Sequence, residues 1–456
     1  MATRSRFSLL RNAVTILGVA ITTSSALLFL TFFALDVFGF HSNPYMGLLF
    51  FLILPTFFVA GLVLIPIGMW IEHRRRAEGK TSWMPSWPRI DFNEPYQRRI
   101  GVIVLACTAA NVVIVSVAAY RGIEYMDSVQ FCGQLCHEVM QPEFAGYQAG
   151  PHSRVACIQC HIGPGAPWFV QAKLSGLRQV YAVTFNTHSR PIPSPVTNLR
   201  PARDTCEQCH WPEKFHGDKI KSIREYADDQ ANTESVTTLQ MHIGGVSFAK
   251  NIASGIHWHV GAMNKIEYVA SDEKRQVIPW VRLDDGKGNV RVYRSDGVAG
   301  DEPPAGERRT LDCVDCHNRP SHTFARSAER AVDDAMAGGG IDRGLPFARR
   351  QAVKALTASY PNAAAAATGI ATAIDTFYRE NYPDSPKAAI QQAIATLQTL
   401  YQRNIFPAMN VGWGSYANNI GHTAFPGCFR CHDEGHKSTT GKVISQDCSL
   451  CHTMQS

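Results

Sequence analysis

Six cysteine–histidine motifs after residue 130 constrain this chain more than any other feature. Five have the form Cys-x-x-Cys-His, and composition alone would produce only about 0.01 such matches in 456 residues. The sixth has one additional residue between its cysteines, which gives Cys-Gly-Gln-Leu-Cys-His. In chain order we number these motifs sites 1 to 6: Cys132/Cys136/His137, Cys157/Cys160/His161, Cys206/Cys209/His210, Cys313/Cys316/His317, Cys428/Cys431/His432 and Cys448/Cys451/His452.

The spacing within these motifs is typical of covalent c-type haem attachment. Two cysteines one turn apart can each form a thioether with a haem vinyl group, and the adjacent histidine then binds the iron as proximal ligand. Zinc sites and disulfides are the alternatives, but neither needs a histidine after every second cysteine. The motifs therefore predict six haem c groups, with twelve cysteines as anchors and six histidines as proximal ligands.

Candidates for the second axial ligand outnumber the six sites. Nine histidines outside the motifs lie in the same part of the chain, and Met140 is a thioether alternative. His216 and His242 are the weakest of the nine, and any single histidine could instead be a surface residue. The surplus favours six-coordinate irons that transfer electrons rather than bind substrate. The candidate ligands are Met140, His152, His188, His257, His259, His322, His422 and His436.

Three uncharged apolar runs in the first quarter of the chain predict membrane spans. Ala13–Leu35, Met46–Trp70 and Ile100–Tyr120 each hold more than 20 residues, enough to cross a hydrocarbon core of roughly 30 Å. The first run is too long for a cleaved signal peptide. Basic residues precede the first run and fill the connection 72–99, whereas 36–45 has none. The positive-inside rule therefore predicts a cytoplasmic N-terminus in a bacterial inner membrane, with the chain after residue 121 in the periplasm.

The formal charge of +6 does not indicate a nucleic-acid partner. Many of the basic residues flank apolar runs, as membrane orientation requires. Each ferric haem with ionised propionates would also add about −1, which brings the oxidised protein close to neutral. The thirteenth cysteine, Cys107, lies in the third apolar run, where we predict that it is buried as a small apolar side chain.

The pattern of residues divides the chain into four segments. Residues 1–125 form the three-span anchor, 126–215 hold sites 1 to 3, 216–312 look partly β, and 313–456 combine a helical stretch with sites 4 to 6. The predicted fold is mainly α, with three transmembrane helices and a periplasmic multihaem cytochrome c domain. That domain is expected to have little regular structure apart from a small β insert.

Local patterns within the last two segments predict particular elements. Residues 277–283 and 290–293 flank Asp-Gly-Lys-Gly, which predicts a hairpin. His257 and His259 alternate around Trp258, as they would on one side of a strand. Pro386 opens a helix with an apolar stripe that we expect to pack against haem or a neighbouring helix: Ile390, Ile394, Leu397 and Tyr401.

The segment Pro167–Phe185 has a broad apolar face with only two charges, Lys173 and Arg178. It follows site 2 and comes soon after the last membrane span. Two interpretations fit, a helix lying on the lipid surface and a buried core helix.

Phe131–His161, with a methionine after the first Cys-His and Pro-His before Cys157, resembles the NapC/NirT family of membrane-anchored periplasmic multihaem quinol dehydrogenases. The stretches Asn198–Phe215, Cys313–Phe324 and Gly427–His436 resemble the larger inner-membrane members, which serve respiration with metals and extracellular acceptors. The match covers about half of the chain after the spans and is specific at the haem motifs.

The resemblance implies that the first haem lies beside a quinol pocket at the membrane surface, where Lys173 matches a quinol-binding lysine. Three departures separate this chain from the family pattern: the extra residue at site 1, three spans instead of one, and no carboxylate between His161 and Asp204. The alternative proton acceptors are Glu124, Asp127 and Glu138.

Together these features predict an enzyme that oxidises quinol or menaquinol from the membrane quinone pool. Its electrons would pass singly along six haems to periplasmic cytochromes or reductases, or to extracellular-respiration acceptors. Two alternatives stay open: an electron-relay subunit of a larger respiratory complex, and a terminal reductase of nitrogen or sulfur oxyanions.

Overall fold

The computed structural model describes residues 12–37, 54–77, 91, 93–162, 166–196, 200–211, 214, 217–247, 252–261, 264–298 and 300–455. Two compact units make up the chain, Met1–Leu135 and Cys136–Ser456. The boundary between the units falls inside site 1, because Cys132 belongs to the first unit and Cys136 opens the second.

Three long apolar helices dominate the first unit. They are α1 (Ala13–Val37), α2 (Leu54–Ala77) and α3 (Pro95–Met126), and a short helix α4 (Val129–Gln134) follows. Each of the first three is long and apolar enough to cross a membrane. The prediction of three transmembrane helices is therefore confirmed, although the first eight residues of the second predicted span lie outside the described residues.

Glycines bring α1 and α2 into close contact. A Cβ atom on Gly61 would lie 2.4 Å from Oγ1 of Thr22 and 2.8 Å from the carbonyl oxygen of Gly18. The Thr22 hydroxyl is itself satisfied, since it donates to that same carbonyl at 2.8 Å. Small residues at such a crossing allow the backbones of two membrane helices to approach, so the glycines fix this packing.

Cys107 lies on α3 with its side chain exposed. Its neighbours Val104 and Leu105 are 58% and 70% exposed, so this part of the helix faces outward. The predicted burial of Cys107 within the protein is therefore wrong. An outward apolar surface on a membrane helix contacts lipid, where a small thiol is also tolerated.

The haem-motif region begins the second unit and consists of short helices. These are α5 (His137–Ala149), α6 (Cys157–His161), α7 (Ala166–Thr184) and α8 (Ala202–Cys206). Extended segments connect them. α9 (Cys313–Cys316) lies further along the chain.

Two antiparallel sheets form the middle of the second unit. One has the order β1-β2-β10 and the other the order β8-β5-β6-β7-β9, while β3 and β4 form a separate pair. The strands are β1 (Lys219–Tyr226), β2 (Glu234–Met241), β3 (Val246–Ser247), β4 (Ile252–Ala253), β5 (Lys265–Ala270), β6 (Trp280–Asp284), β7 (Val290–Arg294), β8 (Glu307–Thr310), β9 (Lys437–Ser438) and β10 (His452–Gln455). The predicted hairpin is confirmed as β6 paired with β7. Strands β9 and β10, from the C-terminal haem region, complete both sheets.

Four amphipathic helices form a separate apolar core. They are α10 (Ala328–Ala337), α11 (Ala348–Thr357), α12 (Ala363–Asn381) and α13 (Lys387–Asn404). The stripe predicted on α13 is buried here against the other three helices, together with fully enclosed Val332 and Ile370. Side-chain caps start two of the helices, since Ser327 accepts from the amide of Arg330 and Asn362 from that of Ala365.

Candidate functional site

At sites 2 to 6 the two cysteines of each motif lie on or directly beside one short helical turn. At sites 3, 4 and 5 the amide of the histidine donates to the carbonyl of the first cysteine, over 2.8 Å, 2.8 Å and 3.1 Å. Site 4 is reinforced by a capping box, in which Asp315 accepts from the amide of Asp312 at 2.7 Å. These turns keep the two cysteines and the following histidine close together along the backbone, as covalent haem attachment requires.

Site 1 differs because its extra residue breaks the helix. Cys132 lies on α4, and Cys136 is the N-cap residue of α5, which begins at His137. The side chain of His137 lies outside the described part of the chain. The cysteine and the histidine remain adjacent, so the attachment chemistry is preserved.

The histidines of sites 2 to 6 each face a second histidine from elsewhere in the chain. Two imidazoles that bind one metal from opposite sides at about 2 Å have ring centroids roughly 6 Å apart. The observed centroid separations are 6.1 Å for His161–His322, 5.9 Å for His152–His210, 6.5 Å for His257–His317, 5.8 Å for His259–His432 and 6.3 Å for His422–His452. All five partners belong to the predicted ligand pool, and the spacing fits an iron between the rings.

Hydrogen bonds at Nδ1 fix the orientation of several of these rings. Nδ1 of His152 donates to the carbonyl of Pro320 at 3.0 Å, and Nδ1 of His259 to that of Ile256 at 2.7 Å. Nδ1 of the site 5 histidine donates to the carbonyl of Ser445 at 2.7 Å. A ring that donates from Nδ1 keeps the lone pair on Nε2 for a metal, which is the usual outer-shell arrangement.

Burial favours the neutral, metal-binding form of two of the partner rings. Desolvation lowers the pKa of both His257 and His259. The two residues lie in one 3₁₀ turn, Ile256–Val260, and face different sites. The prediction that they share one side of a strand is therefore wrong, because the turn directs them towards sites 4 and 5 separately.

Sites 2 to 4 are neighbours in space. When the cysteines are free thiols, burial raises the pKa of Cys160, and the nearby Cys206 thiol raises it further. Sites 2 and 3 are therefore close enough for their thiols to interact. A hydrogen bond connects the Cys206 thiol of site 3 with the Cys313 thiol of site 4. This bond lowers the pKa of Cys206 and raises that of Cys313. These contacts follow the order of the motifs in the sequence.

Sites 4 to 6 continue the same order. Burial raises the pKa of Cys316 to about 11, and the neighbouring Cys428 contributes to the rise. Burial raises the pKa of Cys451 in site 6, and the same Cys428 raises it further. The thiols of sites 5 and 6 are therefore also neighbours. Cys209 and Cys448 are exposed, so sites 3 and 6 reach the protein surface.

Sites 1 and 2 are connected through α5. This helix starts at the site 1 histidine and, six residues or about 9 Å further on, its Glu143 contacts His322. Glycines permit that contact, since a Cβ atom on Gly150 would lie 2.5 Å from the carbonyl oxygen of Ser321. Site 1 therefore joins the same ordered series.

A buried polar cluster surrounds His322. Its Nδ1 donates to the carbonyl of Glu143 at 2.8 Å and lies 3.3 Å from the Oε2 of the same residue. Arg319 donates to that carboxylate at 2.6 Å and stacks 3.9 Å above the ring of Tyr416. Sequence reasoning missed Glu143, which lies 179 residues before His322. It also missed Arg319, which is three residues from His322 but acts through that distant carboxylate.

The remaining candidate ligands have different surroundings. Both ring nitrogens of His188 are buried without a hydrogen-bond partner. His436 uses both nitrogens in hydrogen bonds, and His242 pairs with Asp218 at 3.1 Å. Met140 is half-buried on α5, and His216 lies outside the described residues. Among the described residues, no group of three or more His, Cys, Asp or Glu side chains converges as a zinc site would.

The candidate quinol-side residues are spread over α3, the α3–α4 connection, α5 and α7. Lys173 lies on α7, with its side chain outside the described part. Glu124 is exposed and pairs with Arg121 at 2.7 Å, and Glu138 is in the first turn of α5. Asp127 lies between α3 and α4.

The outer face of α7 is apolar and exposed. Leu174, Leu177, Tyr181 and Phe185 are 60–63% exposed and follow one stripe of the helix. The interpretation of this segment as a buried core helix is therefore wrong.

Comparison with known proteins agrees with this geometry. The N-terminal region of the NapC/NirT cytochrome c family matches residues 95–191. The chain is 42% identical over 460 residues to the cytochrome c-type protein ImcH of Geobacter sulfurreducens, covering 100% of this chain and 90% of the relative. No solved structure matches the chain.

Proposed function

Because the chain belongs to the NapC/NirT family of membrane cytochromes c, we propose that it is a hexahaem quinol dehydrogenase of the bacterial inner membrane. It takes electrons from the membrane quinone pool, and menaquinol or ubiquinol is the substrate. Its acceptors are periplasmic cytochromes or reductases, or carriers to extracellular acceptors.

The observation that carries this proposal is the continuity between the membrane helices and the ordered series of attachment sites. α3 ends at Met126, and site 1 follows within a few residues. Sites 2 to 6 then contact one another in chain order, and the last is exposed. Such a series begins next to a membrane helix in the sequence and ends at a site that is open to a partner.

The histidine pairs support an assignment of axial ligands. His322, His152, His257, His259 and His422 are the second ligands at sites 2, 3, 4, 5 and 6 respectively. We assign His188 to site 1, since its two buried nitrogens have no hydrogen-bond partner and the other described histidines of the pool are paired or hydrogen-bonded elsewhere. Leaving two such atoms unsatisfied would cost about 1–3 kcal/mol each.

When bound, haem c supplies a one-electron iron couple at each site. At sites 2 to 6 the chain would supply two imidazoles to each iron, which would leave no coordination position for a substrate. That arrangement supports electron transfer over a terminal reductase of nitrogen or sulfur oxyanions.

Quinol oxidation also requires acceptors for two protons. Lys173 would bind the quinol, and Glu124, Asp127 and Glu138 would receive its protons. The exposed stripe on α7 supports a position of this helix in the lipid headgroup layer, close to the substrate. Positive charge in the connection 72–99 supports a cytoplasmic N-terminus and a periplasmic haem domain.

The test is oxidation of menaquinol and ubiquinol analogues by purified holoprotein in detergent, followed by haem reduction in the visible spectrum. We expect reduction of up to two haems per added quinol, since a quinol carries two electrons and each haem accepts one. The reduction should be slowed by Lys173→Gln and unaffected by Lys354→Gln on the remote helix α11. If no quinol reduces haems that dithionite does reduce, the proposal is wrong. Activity that appears only with a co-purifying partner would identify a relay subunit of a larger complex instead.

A further inference from the structure

Asp312 joins the attachment turns of sites 3 and 4. Helix α8 carries the first cysteine of site 3, and its N-cap residue is Pro201, whose side chain makes no capping hydrogen bond. The first amides of a helix have no acceptor within the helix itself. Here Oδ2 of Asp312 accepts from the amides of Ala202 at 2.8 Å and Arg203 at 3.3 Å. The cap of α8 therefore comes from a residue 110 positions later in the chain.

The same carboxylate also caps the turn of site 4. Asp312 is the N-cap residue of α9, which carries both cysteines of that site, and its Oδ1 accepts from the amide of Cys313 at 2.7 Å. The two oxygens of one side chain are thus divided between two attachment turns. A carboxylate offers two acceptor oxygens, whereas an asparagine side chain has one oxygen and one donating NH₂ group. The bridge therefore depends on an acidic residue at this position.

Asp312 is itself held in place by buried groups. Its amide donates to Oδ2 of Asp315 at 2.7 Å, and Oδ1 of Asp315 accepts from the hydroxyl of Tyr268 at 2.6 Å. Asp315 and Tyr268 are both buried, and Tyr268 lies on β5. Buried polar groups that satisfy one another become rigid. The bridge between the two turns is therefore anchored in the five-stranded sheet.

The bridge lies where the two sites are in contact. A hydrogen bond between the free thiols of Cys206 and Cys313 brings the first cysteines of sites 3 and 4 together. Arg203 adds a second connection, since its guanidinium donates to the carbonyl of Val260 at 2.9 Å. Val260 ends the 3₁₀ turn that carries His257, the second ligand proposed for site 4. Helix α8 is therefore fixed both to the attachment turn of site 4 and to the turn that holds its second ligand.

We propose that Asp312 is a positioning residue that fixes the spacing between the haems of sites 3 and 4 and thereby sets the rate of electron transfer between them. In this step one electron leaves a ferrous iron at one site and reduces a ferric iron at the other. Electron tunnelling slows steeply as the distance between two centres grows, so a displacement of α8 changes the rate. Asp312 acts through the two turns and binds no iron itself. The inference rests on the proposed haem occupancy and does not require quinol to be the donor.

The experiment compares Asp312→Asn with Asp447→Asn in full-length holoprotein. In Asp312→Asn the remaining oxygen still caps α9, because asparagine is as good an N-cap as aspartate, but an NH₂ group replaces the oxygen that faced α8. Asp447 is the N-cap residue of the site 6 turn, and its carboxylate accepts from Ser449 in the same turn. Asp447→Asn therefore removes the same charge beside an attachment turn without removing a bridge between two sites.

The readout is the rate at which electrons equilibrate among the haems after flash photoreduction by a soluble ruthenium complex. We expect Asp312→Asn to slow one phase of this equilibration several-fold and to weaken the magnetic coupling between two ferric haems in the EPR spectrum. In Asp447→Asn we expect both to stay at their wild-type values. Equilibration at the wild-type rate in Asp312→Asn, or an equal slowing in both variants, would overturn the proposal.

Hydrogen exchange of the wild-type holoprotein gives a second answer, which does not depend on a variant that assembles all its haems. The amides of Ala202 and Arg203 should exchange at least about tenfold more slowly than in an unstructured peptide, since Asp312 accepts from both. Exchange at the unprotected rate would refute the bridge. Neither experiment uses quinol, so failure of the proposed function is seen separately.

Discussion

Glu143 offers the sharpest test of how this chain sets the properties of one haem. Among the hydrogen bonds described at the histidine pairs, His322 is the ring with a carboxylate beside its Nδ1, at 3.3 Å. The other described Nδ1 bonds of the pairs go to backbone carbonyls. A negative charge beside an axial ligand stabilises the ferric state, so we expect Glu143→Gln to raise the potential of the site 2 haem.

The magnitude follows from distance. Oε2 is 3.3 Å from Nδ1, and adding the ring and the metal bond places it about 7 Å from the iron. At an effective dielectric of about 20, one charge at this distance contributes about 2 kcal/mol. Since 59 mV corresponds to about 1.4 kcal/mol for one electron, the full effect is about 85 mV. Movement of Arg319 would reduce the shift, and we expect about 40–85 mV.

The assay is a redox titration followed by EPR, in which one low-spin signal should move in potential while the others stay in place. Glutamine keeps an acceptor for Arg319, and the backbone bond from Glu143 to His322 is unchanged. Glu380→Gln is the matched control, because it removes the same charge from a side chain that is 65% exposed. If no potential rises by more than in this control, the reasoning from the carboxylate is refuted.

Three further predictions follow from other parts of the structure. His422→Met should convert one bis-histidine haem into a His–Met haem, raise its potential and change its near-infrared spectrum. Gly61→Val should weaken the α1–α2 contact by about 1–3 kcal/mol and lower the yield in the membrane fraction, with the haem spectrum unchanged. Although burial acts to raise it, hydrogen bonds from Arg308, Lys265 and Arg282 lower the pKa of Glu267 from 4.5 to about 2. Its contribution to the free energy of unfolding should be complete above pH 4.5 and lost as the pH falls towards 2. In Glu267→Gln, the free energy of unfolding should therefore fall less steeply between these two pH values.

For each of these three predictions, one experimental result would contradict it. An unchanged near-infrared spectrum in His422→Met would mean that His422 does not bind iron. Gly176→Val, at a position with no atom within 4 Å of an added Cβ, is the control for Gly61→Val, and equal yields would argue against a close helix contact. An acid limb of the same shape in Glu267→Gln would mean that the charges around this carboxylate do not stabilise the sheet.

Features that depend on local sequence were predictable here. The three membrane helices, the β6–β7 hairpin and the apolar stripe of α13 all follow from hydrophobic periodicity and turn residues within short windows. The surplus of histidines also anticipated the pairs, since every partner that the structure brings to a motif comes from that pool. For the helices, the hairpin and the stripe, the physical cause lies within about twenty residues of its effect. For the histidines, only the pool was predictable, because the pairs join residues far apart in the sequence.

Features that depend on distant contacts were not predictable. His322 can pair with His161 only if α5 packs on the loop 320–324. Gly146 of α5 permits this packing, but a glycine in a helix does not identify the segment that packs against it. His436 differs from the ligand histidines only through Asp433 and a carbonyl from another segment. Strands β9 and β10 join sheets whose other members lie far earlier in the sequence, so no local pattern identified their partners.

The crossed pairing of histidines has a consequence for biogenesis. A chain emerges from its N-terminal end, so a pair is complete only when its later member has appeared. His152 precedes its partner at site 3, and that centre can close early. Site 2 cannot be completed before His322 emerges, and by then both histidines of site 4 are already present. Until that point, histidines from other sites or solvent molecules would be able to bind the iron of site 2. With the assignment proposed above, the sites of this cytochrome would be completed in the order 1, 3, 4, 2, 5 and 6, because the later histidines of their pairs are residues 188, 210, 317, 322, 432 and 452.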